Sequence, residues 1–267
     1  MPVPPSTESR RLTTGALTLE VLLDGPPDGP ALVLLPSSLR DSLDFDPLVR
    51  PLAAAGWRVL RPQPRGMGGS HGPMTGLSLR DLAGDVHQVI QQLGGGHAVL
   101  VGHAFGHFVA RLADRLFPAA VRGVVVLAGA ARVFPAGLQE ALLIASDPTQ
   151  AEAARLQALQ HAFFAPGQDP RPWLAGWHPQ LRAVYRAASA DPPKDHWWPF
   201  AQSPILDLQG EHDPWRPADT RDELRAALGA DRVTVQVLPG ASHAMVPEQP
   251  AAAAAAIHAW AERLSGR

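Results

Sequence analysis

Along most of the chain, short apolar runs alternate with amphipathic stretches. Residues 17–23 and Ala31–Leu35 read as strands, separated by the turn-rich Asp24-Gly25-Pro26-Pro27. Further strands are predicted at 57–60, 98–101, 121–128, 205–208 and Val233–Leu238. Between them, 45–55, Leu79–Leu93, a stretch ending at Phe117, 220–228 and a final stretch from about Glu248 carry helical spacing. Runs of Val and Leu without polar alternation fit strands buried on both faces. Their alternation with helices predicts an α/β fold with a mostly parallel sheet covered on both sides. The alanine run 251–256 reads as the middle of the C-terminal helix, because alanine has the best helix propensity.

The rhythm changes from 132 to 200. No buried strand is predicted there; 138–145 and 151–164 look helical, and Trp173, Trp177, Trp197 and Trp198 punctuate Pro-rich turns. Because the strand–helix alternation resumes afterwards, the expected organisation is one core, 1–131 and 201–267, with an inserted helical cap at 132–200.

Composition narrows the chemistry. With 46% hydrophobic and 18% charged residues, the chain can build a core rather than stay disordered. Balanced charge, 23 basic against 25 acidic residues, gives no drive toward nucleic acid or anionic membranes. The absence of cysteine removes disulfides, thiolate metal sites and Cys nucleophiles. Residues 1–11 are polar and Pro-bearing and lack the apolar stretch of a signal peptide, so a cytoplasmic location is expected. No run is long enough to span a bilayer. The expected partner is a small-molecule substrate, with no cofactor and no metal. His103 and His107 have i, i+4 spacing but lack the Glu of a helical zinc motif, and no dinucleotide or phosphate-binding Gly fingerprint is present.

The sharpest local feature is Gly102-His103-Ala104-Phe105-Gly106, at the junction of a predicted strand and helix. Small residues flanking one central position permit a tight strand–turn–helix. This segment resembles the nucleophile elbow of the α/β-hydrolase family, with Ala104 where the family carries serine. Leu34-Leu35-Pro36-Ser37-Ser38 resembles the loop after the family's oxyanion strand, and Arg65-Gly66-Met67-Gly68-Gly69-Ser70 its R-G-x-G-x-S loop. Residues 208–214 end in an Asp213 that resembles the family's acid, and 238–243 end in a His243 that resembles its base, in the family's chain order. The resemblance implies an ester- or lactone-hydrolase-like enzyme. It would have Asp213 and His243 as catalytic partners, an oxyanion site from the backbone N–H groups of Ser38 and Phe105, and a pocket near His103 and the four cap tryptophans. The four cap tryptophans either line an apolar pocket, which would suit an apolar or aromatic substrate, or pack inside a small helical lid. Loop serines 37, 38, 42, 70 and 242 are further hydroxyls near the expected active face.

A methyl group cannot form an acyl-enzyme. Ala104 therefore leaves three readings: an inactive form of a serine esterase, a serine-independent enzyme using the His243–Asp213 dyad as general base, or a ligand-binding protein without chemistry.

Overall fold

The computed structural model describes residues 7–264. The strands are β1 Glu8–Thr14, β2 Leu17–Asp24, β3 Ala31–Leu35, β4 Arg58–Pro62, β5 Ala98–His103, β6 Val121–Leu127, β7 Ile205–Gly210 and β8 Val233–Leu238. The helices are α1 Asp46–Ala54, α2 Leu79–Leu93, α3 Gly106–Leu116, α4 Leu138–Ser146, α5 Glu152–Ala162, α6 Arg182–Ser189, α7 Glu223–Leu228, α8 Met245–Glu248 and α9 Pro250–Leu264. Among the described residues the strands form one sheet in the order β1-β2-β4-β3-β5-β6-β7-β8. β1 and β2 pair antiparallel, β2 joins β4 antiparallel, and every later pairing is parallel.

The Val/Leu runs of β3, β5 and β6 are buried on both faces, as their unbroken apolar pattern requires. One face packs Leu100, Val124 and Val126 against α2 and α3; the other packs Val99, Val101 and Val125 with Ile257 and Trp260 of α9. Strand order reverses between β3 and β5, because β4 lies on the far side of β3. Ligands of open α/β sheets bind beyond the carboxyl ends of the strands at such a switch point. The loops carrying Ser38 and Ala104 leave the sheet there, from β3 and β5.

Between β6 and β7, the described chain contains α4, α5, α6 and short 3₁₀ turns, and no strand. Its first part builds a separate apolar cluster from Leu138, Leu159, Phe163 and Trp173, closed by Trp215. Tyr185, Ala188, Trp197 and Trp198 instead join the core on the α2/α3 side. Two elements depart from the sequence reading. β1 lies where a polar terminus is expected; Leu12 is its only buried residue, so no apolar alternation marks it. α6 lies among predicted turns, and its eight residues are too few for helical periodicity to show.

Candidate functional site

The elbow is built by close approach. A Cβ on Gly106 would lie 2.1 Å from the Leu35 carbonyl oxygen, and one on Gly102 would lie 2.4 Å from the His107 backbone. Only glycine lets β3, the turn and α3 meet. Ala104 at the apex has φ +45°, a left-handed conformation that costs a non-glycine residue about 1–3 kcal/mol. Its N–H donates to the Leu127 carbonyl at 3.0 Å, and its own carbonyl accepts from the His107 N–H at 3.1 Å. The sheet and the helix thus hold the strained turn from both ends. Gly106→Ala is expected to destabilise the protein by at least about 3 kcal/mol in urea unfolding, because the colliding atoms are backbone. Gly84→Ala in α2, where a Cβ meets nothing within 4 Å, is expected to stabilise by about 1 kcal/mol.

The Asp213 and His243 loops are stitched together. A Cβ on Gly210 would meet the Ala241 and Ser242 carbonyls at 2.7 Å, so β7 must end in glycine for the two loops to touch. The His212 N–H donates to the Ala241 carbonyl at 2.8 Å, and the Ser242 hydroxyl to the His212 carbonyl at 3.2 Å. This brings His243 Nδ1 to 3.0 Å from Asp213 Oδ2, with both side chains buried. Nδ1 carries the proton that faces the carboxylate, so Nε2 is the bare nitrogen, and it has no protein partner among the described residues. Asp213 Oδ1 accepts from the Trp215 N–H at 2.9 Å. The Trp215 ring lies 5.3 Å from the His243 ring and that of Phe163 lies 5.7 Å away. The imidazole is thus held by one carboxylate and two aromatic walls.

His243, Ala104, Ser38 and Phe105 line one cavity of about 270 Å³. The N–H groups of Ser38 and Phe105 donate to no acceptor among the described residues. Apolar walls come from Phe108, Phe134, Leu142, Leu143 and Trp215, and polar groups from Gln139, Arg182 and Arg186. Of the five loop serines, Ser37 and Ser38 line this cavity. Ser42 bonds the Pro62 carbonyl, Ser70 accepts from the Glu20 N–H and Ser242 holds the His212 carbonyl.

The expected pocket residues need correction. His103, Trp173, Trp177, Trp197 and Trp198 do not line the cavity. The Arg40 guanidinium lies 4.5 and 4.6 Å from the ring centres of Trp173 and Trp177, whose rings meet edge to face. Trp197 packs on Phe108 at 4.8 Å, and Trp198 lies under Arg132 at 5.1 Å. Each of these rings has a cation or another aromatic ring as a neighbour, and none of them faces the cavity. The cavity aromatics are Phe105, Phe108, Phe134, Phe163, Tyr185 and Trp215, of which the sequence reading named only Phe105; the signal for Trp215 was its place two residues after Asp213. The Arg65–Ser70 loop is structural: Arg65 pairs with both oxygens of Asp85 at 2.7 Å, and Gly69 and Ser70 bond the Glu20 carboxylate and N–H.

His103 supports the histidine loop from behind. Its Nε2 donates to the His243 carbonyl at 2.8 Å, while Nδ1 is buried without a partner. Burial, aided by the nearby His243, pushes its pKa down to about 3. Burial likewise holds His107 well below the ordinary histidine range. A depressed histidine pKa contributes stability that is present above about 6.5 and lost as pH falls toward 3. For His103 this adds a slope of roughly 1 kcal/mol per pH unit through that window. His103→Gln is therefore expected to flatten the stability curve between pH 6 and 4 by about that slope, read from urea titrations of both proteins. The difference between proteins is the informative quantity, because burial raises the pKa of Asp207 and Glu248 and drives the opposite trend.

Glu248 is a second support missed in the sequence. Its carboxylate accepts from the Ser242 N–H at 2.6 Å and the Ala165 N–H at 2.5 Å, joining the histidine loop to the end of α5.

A family model described as "Alpha/beta hydrolase family" matches residues 32–256. The chain belongs to the alpha/beta hydrolase family. A 2-(acetamidomethylene)succinate hydrolase of Mesorhizobium japonicum is 34% identical over 119 residues, which is 45% of this chain and 42% of that protein. Epoxide hydrolase A of Mycobacterium tuberculosis is 30% identical over 120 residues, 44% of this chain and 37% of that protein. The matched stretches thus span less than half the length of these two curated relatives. Among solved structures, carboxylesterase CesB of Bacillus subtilis superposes with TM-score 0.75 at 20% identity, covering 95% of this chain and 91% of that one. An E-2-(acetamidomethylene)succinate hydrolase superposes with TM-score 0.75 at 23% identity, covering 96% and 99%. At these identities the superpositions carry the alpha/beta hydrolase fold. Among the described residues, no helix is long and apolar enough to cross a membrane.

Proposed function

We propose that this alpha/beta hydrolase hydrolyses a small carboxylic ester or lactone by direct attack of water, with His243–Asp213 as general base and no serine nucleophile. The supporting observation is the buried 3.0 Å pairing of His243 Nδ1 with Asp213, which leaves Nε2 bare at the cavity that Ala104 lines. In this reading a water takes the space that a serine oxygen would fill beside the Ala104 methyl and bonds Nε2, since Ala104 and His243 line the same cavity. Nε2 takes one proton from that water as its oxygen bonds to the carbonyl carbon. The carbonyl oxygen becomes an oxyanion facing the unpaired N–H groups of Ser38 and Phe105. Collapse breaks the ester C–O bond, and the imidazolium returns the proton to the departing alkoxide. Products are the carboxylic acid and the alcohol, and the histidine is restored.

Retention of the strained elbow fits this scheme. Ala104, at φ +45°, directly precedes Phe105, whose N–H has no acceptor among the described residues. The named relatives act on chemically different substrates, so they support hydrolysis as the reaction type and leave the substrate to the pocket. The reading is tested by Asp213→Asn. A neutral amide stabilises the wrong histidine tautomer and no imidazolium, and hydrolysis of p-nitrophenyl esters is expected to fall by about 10²–10⁴-fold. A variant as active as the parent chain would contradict the dyad.

A further inference from the structure

α6 turns an unusual face to the cavity. Arg182, Tyr185, Arg186 and Ser189, at i, i+3, i+4 and i+7, all line it. The two arginines are like charges one turn apart, which disfavours a helix. Arg182 also stands in the first turn, where the helix dipole repels a cation. Tyr185 is occupied elsewhere, its hydroxyl donating to the Arg65 carbonyl at 2.8 Å.

Neither arginine has an ion pair among the described residues. Of the buried arginines, Arg40, Arg61, Arg65 and Arg216 each hold a carboxylate of this chain, from Asp44, Asp24, Asp85 and Asp207, while Arg58, Arg111 and Arg155 bond backbone carbonyls. Arg182 instead donates from one terminal nitrogen to the Ser146 hydroxyl at 2.9 Å. Its Nε is buried without an acceptor, and its other terminal nitrogen meets no protein acceptor. Asp147, at the end of α4, is near enough to feel its charge but forms no ion pair with it. Arg186 is exposed at the cavity rim, and its guanidinium has no partner among the described residues. No aspartate or glutamate lines the cavity, so the two guanidiniums set its charge. A half-buried guanidinium with unmet donors costs stability unless a ligand supplies the acceptor.

Resting on the hydrolase reading above, we infer that the substrate carries a carboxylate, bound by Arg182 and Arg186 of α6 while its ester group lies at His243. Arginine presents paired N–H groups that match the two oxygens of a carboxylate. The phenylalanine and leucine walls between the two ends accept an apolar spacer. The substrate class is therefore a half-ester of an aliphatic or aromatic dicarboxylic acid, or a lactone bearing a carboxylate. Arg182 and Arg186 select this substrate and take no part in bond cleavage.

Calorimetric titration with monomethyl adipate and with the neutral dimethyl adipate tests this. The half-ester is expected to bind at least tenfold more tightly than the diester. Arg182→Gln is expected to weaken half-ester binding at least tenfold and Arg186→Gln several-fold, while diester binding changes less than twofold in both. Arg182→Lys should restore part of the loss, since charge returns without the paired donors. A merely structural role for α6 would weaken both ligands together, and that result would overturn the assignment. So would equal binding of the two ligands, half-ester affinity indifferent to both arginines, or no half-ester binding. Charge-selective, arginine-dependent binding without ester cleavage would uphold the carboxylate site and overturn the hydrolysis reading alone.

Discussion

Ala104→Ser is expected to convert the protein into a covalent esterase. The unsubstituted chain should show no mass gain with a fluorophosphonate, whereas the serine variant should gain one phosphonyl group at position 104. The parts that activate a serine are in place around the methyl group. The left-handed apex at φ +45° is held by bonds to Leu127 and His107, and the cavity that Ala104 lines also receives His243 and the free N–H groups of Ser38 and Phe105. Loss of the nucleophile in a serine protease costs about 10⁶-fold in turnover, leaving roughly 10³–10⁴ over water from the remaining parts. A serine restored to a pocket shaped around a water should recover only some of that factor. We expect turnover of p-nitrophenyl esters to rise on the order of 10²–10³-fold, with a burst of p-nitrophenolate that marks the acyl-enzyme. A serine variant that stays unlabelled and burst-free would show that Nε2 of His243 does not face position 104. Labelling of the unsubstituted chain at Ser37 or Ser38 would place a nucleophile in the β3 loop and displace the water mechanism.

The parts of this site differ in how plainly the sequence shows them, and the reason is local geometry. The elbow could be read because its constraint is steric and confined to five residues: Gly102 and Gly106 are demanded by backbone approaches of 2.4 and 2.1 Å. Asp213 and His243 could be read because each follows an apolar strand, and parallel strands put their carboxyl ends on one side. The strands β3, β5 and β6 were visible as unbroken Val/Leu runs because both faces are covered. β1 was not, since its one inward residue, Leu12, leaves no pattern.

The lining of the pocket stayed open in the sequence for a different reason. Aromatic content marks where apolar surface must be covered but not by what. Trp173 and Trp177 cover Arg40, and Trp197 covers Phe108, choices that depend on contacts across more than sixty positions of the chain. The polar determinants of the pocket were equally hidden. Arg182 and Arg186 look like ordinary solvated charges in sequence; only the placement of α6 against the cavity gives them a role. Glu248 is legible only once Ser242 and Ala165 are seen to share its carboxylate.

The central claim is that His243 acts as a base in the chain that carries Ala104. The measurement that bears on it most directly is kcat/KM for a small p-nitrophenyl ester, taken on the unsubstituted protein and on His243→Ala side by side. General-base catalysis contributes about 10²–10⁴-fold, and the account predicts a loss of that size. The imidazole packs against Trp215 and Phe163, so urea unfolding of both proteins should accompany the assay. Burst-free hydrolysis by the unsubstituted chain that disappears in a folded His243→Ala protein is the predicted result. Equal rates in the two folded proteins would contradict the account.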